Sequence, residues 1–248
     1  MNHNIHLEEL ALNAWPALQT NLYDGWVMRF ANGYTKRANS VTPLYPGRLP
    51  LDEKIDWCVE QYRQQQLRPT FRLTEAAEIG RLDGALAERG FRRIDLTSVQ
   101  TAVLAPIAAK PSERAALLPG YSGMESWLAS FHQFSGAYRA DDVTHKQILA
   151  NIRGETGYMA LMVAGEVAAC ALGVVERGWL GIFDVVTAVS HRNQGVATEL
   201  MHSLLAWGQR RGADHAYLQV FADNQPALRL YEKLGFTEQY RYWYRVAE

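Results

Sequence analysis

The sequence predicts a mixed α/β fold, strands of a twisted sheet flanked by helices. Two observations carry that reading. Over residues 120–248, apolar runs of strand length alternate with amphipathic runs of helix length. Within them a polar, glycine-containing turn, HRNQG, joins the apolar run LGIFDVVTAV to an amphipathic stretch, the order of a strand–turn–helix unit.

The elements follow in order. LAPIAAKPSERAALLPG, residues 104–120, holds three of the nine prolines and little helical period, so it suits a linker. A boundary near Lys110 divides the chain into residues 1–110 and 111–248. MESWLASFHQFSGAY and VTHKQILANI read as helices, and YMALMVAGEVAACALGVVERGWLGIFDVVTAV reads as three strands turning at AGE and ERGW. A helix over 197–211, closed by Arg210, Arg211 and Gly212, leads to the strand AYLQVF. A short helix after ADNQP tolerates Pro226 in its first turn and ends at Gly235. The aromatic stretch FTEQYRYWYRV reads as a closing strand pair, one face core and the other open.

The first half repeats part of this order. A shift of 145 residues without a gap lays RFANGYTKRANSVTPL on VVERGWLGIFDVVTAV, with Gly33 on Gly178 and a hairpin in each. In the same register Ile55, Val59 and Tyr62 fall on Leu200, Leu204 and Trp207, TFRLTE falls on HAYLQV, and ERGF ends on the Gly-Phe of KLGF. Matched periodicity and punctuation read as a decayed repeat, the first half following the plan of the second.

Composition excludes several classes. Twenty-five Lys and Arg against 26 Asp and Glu give a net charge of -1, and no basic run offers a footprint for nucleic acid or an anionic membrane. Cys58 and Cys170 stand far apart in apolar or helical patterns and read as reduced core residues rather than a disulfide framework or a zinc set. His132, His145, His191, His202 and His215 show no metal-ligand spacing, so no metal is expected. The N-terminal stretch MNHNIHLEELAL is no signal peptide, which places the chain in the cytoplasm.

The HRNQG turn carries the chemistry. Successive N–H groups at a helix N-terminus converge on one point and add the positive end of the helix dipole, which suits a phosphate. Gly195 removes a Cβ from that path, Ala197 keeps the next step small, and Arg192 adds a charged donor. The turn lacks the Gly-Lys-Ser/Thr of a P-loop and the Gly-x-Gly-x-x-Gly of a dinucleotide turn.

With Arg192-x-x-Gly195-x-Ala197 followed by Asn224 and Tyr231-x-x-x-Gly235-Phe236, residues from about 120 to 248 resemble the GNAT superfamily of acyl-CoA N-acyltransferases. The resemblance implies acetyl-CoA as the cofactor and a pyrophosphate loop of Arg192, Asn193, Gln194, Gly195, Val196, Ala197 and Thr198. It implies a strand end at Val185, Val186 and Thr187 that parts from its neighbour to meet the pantetheine arm. Asn224, Ala227 and Tyr231 would lie along the cofactor, with Tyr231 as general acid for the departing thiolate. The reaction implied is direct transfer of an acetyl group to a primary amine on a small molecule, a protein N-terminus or a lysine.

Several enzymes of the superfamily carry a Glu on the strand before Asn224, where this chain has Gln219, which cannot accept a proton at neutral pH. Asp184, a carboxylate between apolar neighbours, is either the base or a paired structural residue, and a water chain or an amine arriving neutral would also serve. The same substitution leaves room for a second reading, an acyl-CoA-binding regulatory module without turnover. A homodimer is compatible with either.

Overall fold

The computed structural model describes residues 3–74, 79–104, 111–136 and 142–248. In chain order the elements are α1 (His3–Ala14), β1 (Gln19–Tyr23), β2 (Trp26–Phe30), β3 (Val41–Pro43), α2 (Leu51–Gln64), β4 (Thr70–Thr74), α3 (Ile79–Glu88) and β5 (Arg92–Val103). There follow β6 (Ala115–Leu117), α4 (Gly120–Ser135), α5 (Asp142–Ala150), β7 (Glu155–Val163), β8 (Glu166–Glu176), β9 (Trp179–Thr187), α6 (Val196–Arg210), β10 (His215–Phe221), α7 (Gln225–Lys233) and β11 (Thr237–Val246). The chain divides into two compact units. One comprises Met1–Val99, Val220–Asn224 and Glu238–Glu248, the other Gln100–Gln219 and Gln225–Thr237. The boundary expected at Lys110 lies outside the described residues, while the second part of the expected linker is regular, since β6 pairs antiparallel with β7.

In the second unit the strands run β10-β9-β8-β7-β6. β7, β8 and β9 form the antiparallel meander that the turns at AGE and ERGW require. β9 and β10 are parallel and joined through α6, the connection that parallel strands demand. β8 is buried at every residue from Ala168 to Val174, a strand covered on both faces, and α4 and α6 both pack on β7, β8 and β9.

The seat of α6 is carved in glycine. Gly157 and Gly173 stand opposite each other in the β7–β8 ladder, and the Trp207 ring lies so close that a Cβ on either would come within 2.8 Å of it. The ladder is hollowed where the largest side chain of the helix must sit, and this fixes where the N-terminus of α6 points.

In the first unit the order is β1-β2-β3-β4-β11-β5. Its core gathers Met28, Val41, Ile55, Cys58, Tyr62, Phe71, Leu73 and Leu86, with Trp243 of β11. FTEQYRYWYRV is one strand, not the expected pair: it holds no turn residue and pairs antiparallel with β4 from Tyr242↔Thr74 to Val246↔Thr70. Arg72 of β4 forms a buried ion pair with Glu8 of α1, and the Tyr240 hydroxyl of β11 donates to the same carboxylate. Three elements are tied by a single buried anion.

The shifted register reappears in the element starts. α2 and α6 begin at residues 51 and 196, β4 and β10 at 70 and 215, and β5 and β11 at 92 and 237, each pair 145 apart. The pairings agree too, antiparallel for β2–β3 and β8–β9, parallel for β3–β4 and β9–β10. The hairpin expected at Gly33 is different. β2 ends at Phe30 and β3 starts only at Val41, across a loop held by buried Asn39, whose side chain accepts from the Ala31 and Gly33 amides and donates to the Thr35 carbonyl. One polar side chain organises a loop that apolar periodicity reads as strand.

The start of α2 has its own anion. Asp24, in the β1–β2 turn, accepts hydrogen bonds from the Arg48 and Leu49 amides at 2.9 Å, and Lys54 Nζ stands 3.0 Å from the same carboxylate. These backbone donors hold its pKa down to about 2. Asp52, in the first turn of α2, pairs with Arg89.

Candidate active site

β9 pairs with β10 from Trp179 to Ile182, opposite His215 to Leu218, and the ladder then stops. Phe183 to Thr187 carry β9 on beyond the last pair of that register, and Val185, Val186 and Thr187 lie in this stretch. On its other edge β9 carries a bulge. Cys170 faces Val186 and Leu172 faces Phe183, so Asp184 and Val185 together oppose Ala171. Asp184 takes the left-handed conformation there, φ 51°. The Trp127 indole of α4 donates to the Ala171 carbonyl at 3.1 Å, satisfying a backbone acceptor beside the irregularity.

The bulge brings together residues that no sequence spacing connects. His145 Nε2 of α5 lies 3.7 Å from Asp184 Oδ2, and His145 Nδ1 lies 3.2 Å from His132 Nε2 of α4. His145 is fully buried, with the Trp127 and Phe131 rings set edge-on to it. Burial, then the neighbouring His132, depress its pKa to about 3, so the imidazole is neutral and faces a carboxylate. Burial and Asp184 together push the Cys170 thiol up, which keeps it protonated and unreactive.

After β9 a short 3₁₀ turn, Val189–His191, leads into the loop. Asn193 and Gly195 are both left-handed, φ 59° and 79°. Gly195 is the N-cap of α6 and no side chain caps the helix. The first intrahelical bond runs from the Glu199 amide to the Gly195 carbonyl, leaving the amides of Val196, Ala197 and Thr198 without helical acceptors. A Cβ placed on Gly195 would meet nothing within 4 Å. The loop is braced from below: Gln194 donates to the Ser190 carbonyl at 2.8 Å and Arg192 Nε to the Thr187 carbonyl at 3.3 Å. Glu199, an anion one turn into the helix, is neutralised by Arg114 and by the Ser112 hydroxyl. The residues present fit a pyrophosphate group, with free amides, a helix dipole and open space above the glycine.

Tyr231 is the buried residue of α7, with Ala227 half-buried one turn earlier. Its backbone carbonyl accepts from the Phe236 amide, so the turn through Gly235 fixes its place. Among the described residues its hydroxyl has no hydrogen-bond partner. Burial pushes its pKa up to about 12, so the proton is retained at neutral pH. Asn224 is exposed and immediately precedes α7, its amide donating to the Phe221 carbonyl. Gln219 lies on β10.

A family model described as probable histone acetyltransferase Rv0428c, C-terminal, matches residues 4–245. The chain belongs to this family. It is an acetyltransferase of the GNAT superfamily. The uncharacterized N-acetyltransferase YobR of Bacillus subtilis is 26% identical over 245 residues, 97% of this chain and 97% of that protein. A GCN5-related N-acetyltransferase from Kribbella flavida superposes with a TM-score of 0.73 at 16% identity, covering 100% of this chain and 96% of that one. A tandem GNAT protein from the clavulanic acid biosynthesis pathway gives 0.65 at 14% identity, covering 98% and 88%. These likenesses establish the mixed α/β fold. Among the described residues no helix is long and apolar enough to cross a membrane.

Proposed function

We propose that the protein transfers an acetyl group from acetyl-CoA to a primary amine by direct attack. The observation that carries this reading is the uncapped start of α6, with Gly195 left-handed beneath open space, at the end of a strand that has left its ladder. Acetyl-CoA would supply the thioester. Arg192 through Thr198 would hold its pyrophosphate, the free edge of Val185 to Thr187 its pantetheine arm, and Asn224 and Ala227 would flank that arm. In the transfer a nitrogen–carbon bond forms and a carbon–sulfur bond breaks. One proton leaves the amine for Asp184 or water, and Tyr231 gives one to the sulfur. The protonated, unpartnered hydroxyl of Tyr231 suits an acid better than a packing residue.

We further propose that the chain is a tandem of GNAT-like halves and that the first half binds no cofactor. The matching element starts support the tandem, and Asp24 supports the loss of binding, since its carboxylate already takes the Arg48 and Leu49 amides in the loop that leads into α2. The acceptor is a small-molecule, N-terminal or lysine amine.

Calorimetric titration with CoA, then transfer of acetyl groups to a panel of such amines with free thiol as the readout, tests the proposal. Saturable binding and thiol release on at least one amine are expected. Tight binding with silence across the panel would instead favour a regulatory acyl-CoA sensor, the reading that Gln219 motivates.

A further inference from the structure

We propose that His145 is a positioning residue for Asp184, its tautomer fixed by His132, so that the bulged carboxylate faces an imidazole N–H. The inference rests on the proposed role of Asp184 as base.

The geometry leaves two arrangements of one proton. The His145 and His132 rings share a hydrogen bond, His145 Nδ1 to His132 Nε2 at 3.2 Å, and each nitrogen can donate or accept. If His145 Nδ1 donates, its Nε2 turns a lone pair on the Asp184 carboxylate at 3.7 Å, two negative ends face to face. If His132 Nε2 donates, His145 Nε2 carries the hydrogen and turns a positive end on the carboxylate. At 3.7 Å this is longer than a hydrogen bond, yet in a dry pocket lined by Trp127 and Phe131 the electrostatic preference is strong. His145 therefore serves as a neutral donor, not as an acid or base, and His132 serves as the group that sets which of its nitrogens donates.

The placement of Asp184 gives the donor its purpose. A left-handed residue at a bulge has its side chain direction set by the backbone, and a half-buried carboxylate there needs a partner that favours its ionised form. Among the described residues, the titratable groups facing Asp184 include Cys170 from β8 and His145 from α5, with His132 of α4 behind. Cys170 stays a neutral thiol, whereas an imidazole N–H turned on the carboxylate supports its ionised form.

Long-range proton–nitrogen NMR of the full chain labelled with ¹⁵N-histidine reads the tautomer without any acceptor. His145 is expected to show a protonated Nε2 and a bare Nδ1 from about pH 5 to pH 8. Asp184→Asn and His132→Asn should each loosen that preference. A proton on Nδ1, or a tautomer indifferent to both changes, overturns the lock.

The second arm uses an amine that is turned over. His145→Phe should move the acid limb of kcat/KM upward by about one pH unit, because Asp184 loses the donor that favours its ionised form. His145→Gln, whose amide can donate, should restore it, with CoA affinity unchanged in both. A pH profile unmoved in a folded Phe variant would show that His145 only packs. Silence on all amines would count against the proposed activity and leave the NMR result standing.

Discussion

Gly195 and Tyr231 make opposite demands on their surroundings. Gly195 is exposed and needs backbone freedom, and proline there cannot reach φ 79° and carries no N–H. Gly195→Pro should weaken CoA binding by at least about tenfold while leaving the fold intact, as read by calorimetry beside a thermal melt. Tyr231 is buried and keeps its proton up to about pH 12. Tyr231→Phe preserves the ring and should lower kcat by roughly 10²–10⁴-fold with CoA affinity nearly unchanged. No alkaline limb from this residue should appear below about pH 11, because it is the protonated form that donates. Turnover at the wild-type rate would reduce Tyr231 to a packing residue. At this scale the glycine turn was legible as a place without a Cβ, while its left-handed φ of 79° shows only in the structure. The bulge was not, because an extra residue shows only when two strands are laid side by side. His145 was unreadable for a similar reason: it meets Asp184 of β9 across 39 positions, from helix α5.

Among the elements, α6 depends on the depth of its seat. Trp207 fills the space left by Gly157 and Gly173, and Trp207→Ala should cost about 3–5 kcal/mol in chemical denaturation, the range for emptying a large aromatic site. Because that packing aims the helix, CoA affinity should fall with it. α2 depends on charge. The pKa of Asp24 is depressed to about 2 in the folded protein, against about 3.9 in an unfolded chain. Its contribution to stability is therefore fully present above about pH 4 and is lost as pH falls through about 2. Denaturation of wild type and Asp24→Asn across that window should show the gap between them closing as pH falls, and a gap independent of pH would exclude the mechanism. Helices and strands of the second unit were largely legible from period and punctuation. The loop over 31–40 was misread as a tight turn at Gly33, since nothing in local hydrophobicity announces that Asn39 will be buried and bonded to the backbone of Ala31, Gly33 and Thr35.

For the whole molecule, the proposed tandem, with its first half closed, predicts one cofactor. Titration with acetyl-CoA should give a single site per chain, lost in Gly195→Pro and kept in Asp24→Asn. Two sites would refute the idea that Asp24 closes the first half. The matched spacing of 145 residues reappears in the element starts, while the two compact units draw strands from distant parts of the chain. Period and proline content show where a linker could stand; they carry no information on which earlier strand a later one will join.

The place of β11 sets an order for synthesis. Its partner β4 and the ion pair of Glu8 with Arg72 are made early in this sequence, yet the strand that completes them and the Tyr240 hydroxyl that joins them emerge from the ribosome after residues 100–219. Domains made early usually finish folding early. Here the first unit must wait on the nascent chain with the β11 side of β4 uncovered, an edge that can recruit another chain. Crowded translation should therefore penalise this protein more than its final stability implies, and stalled or prematurely terminated chains lacking residues 237–246 should be the species that chaperones hold.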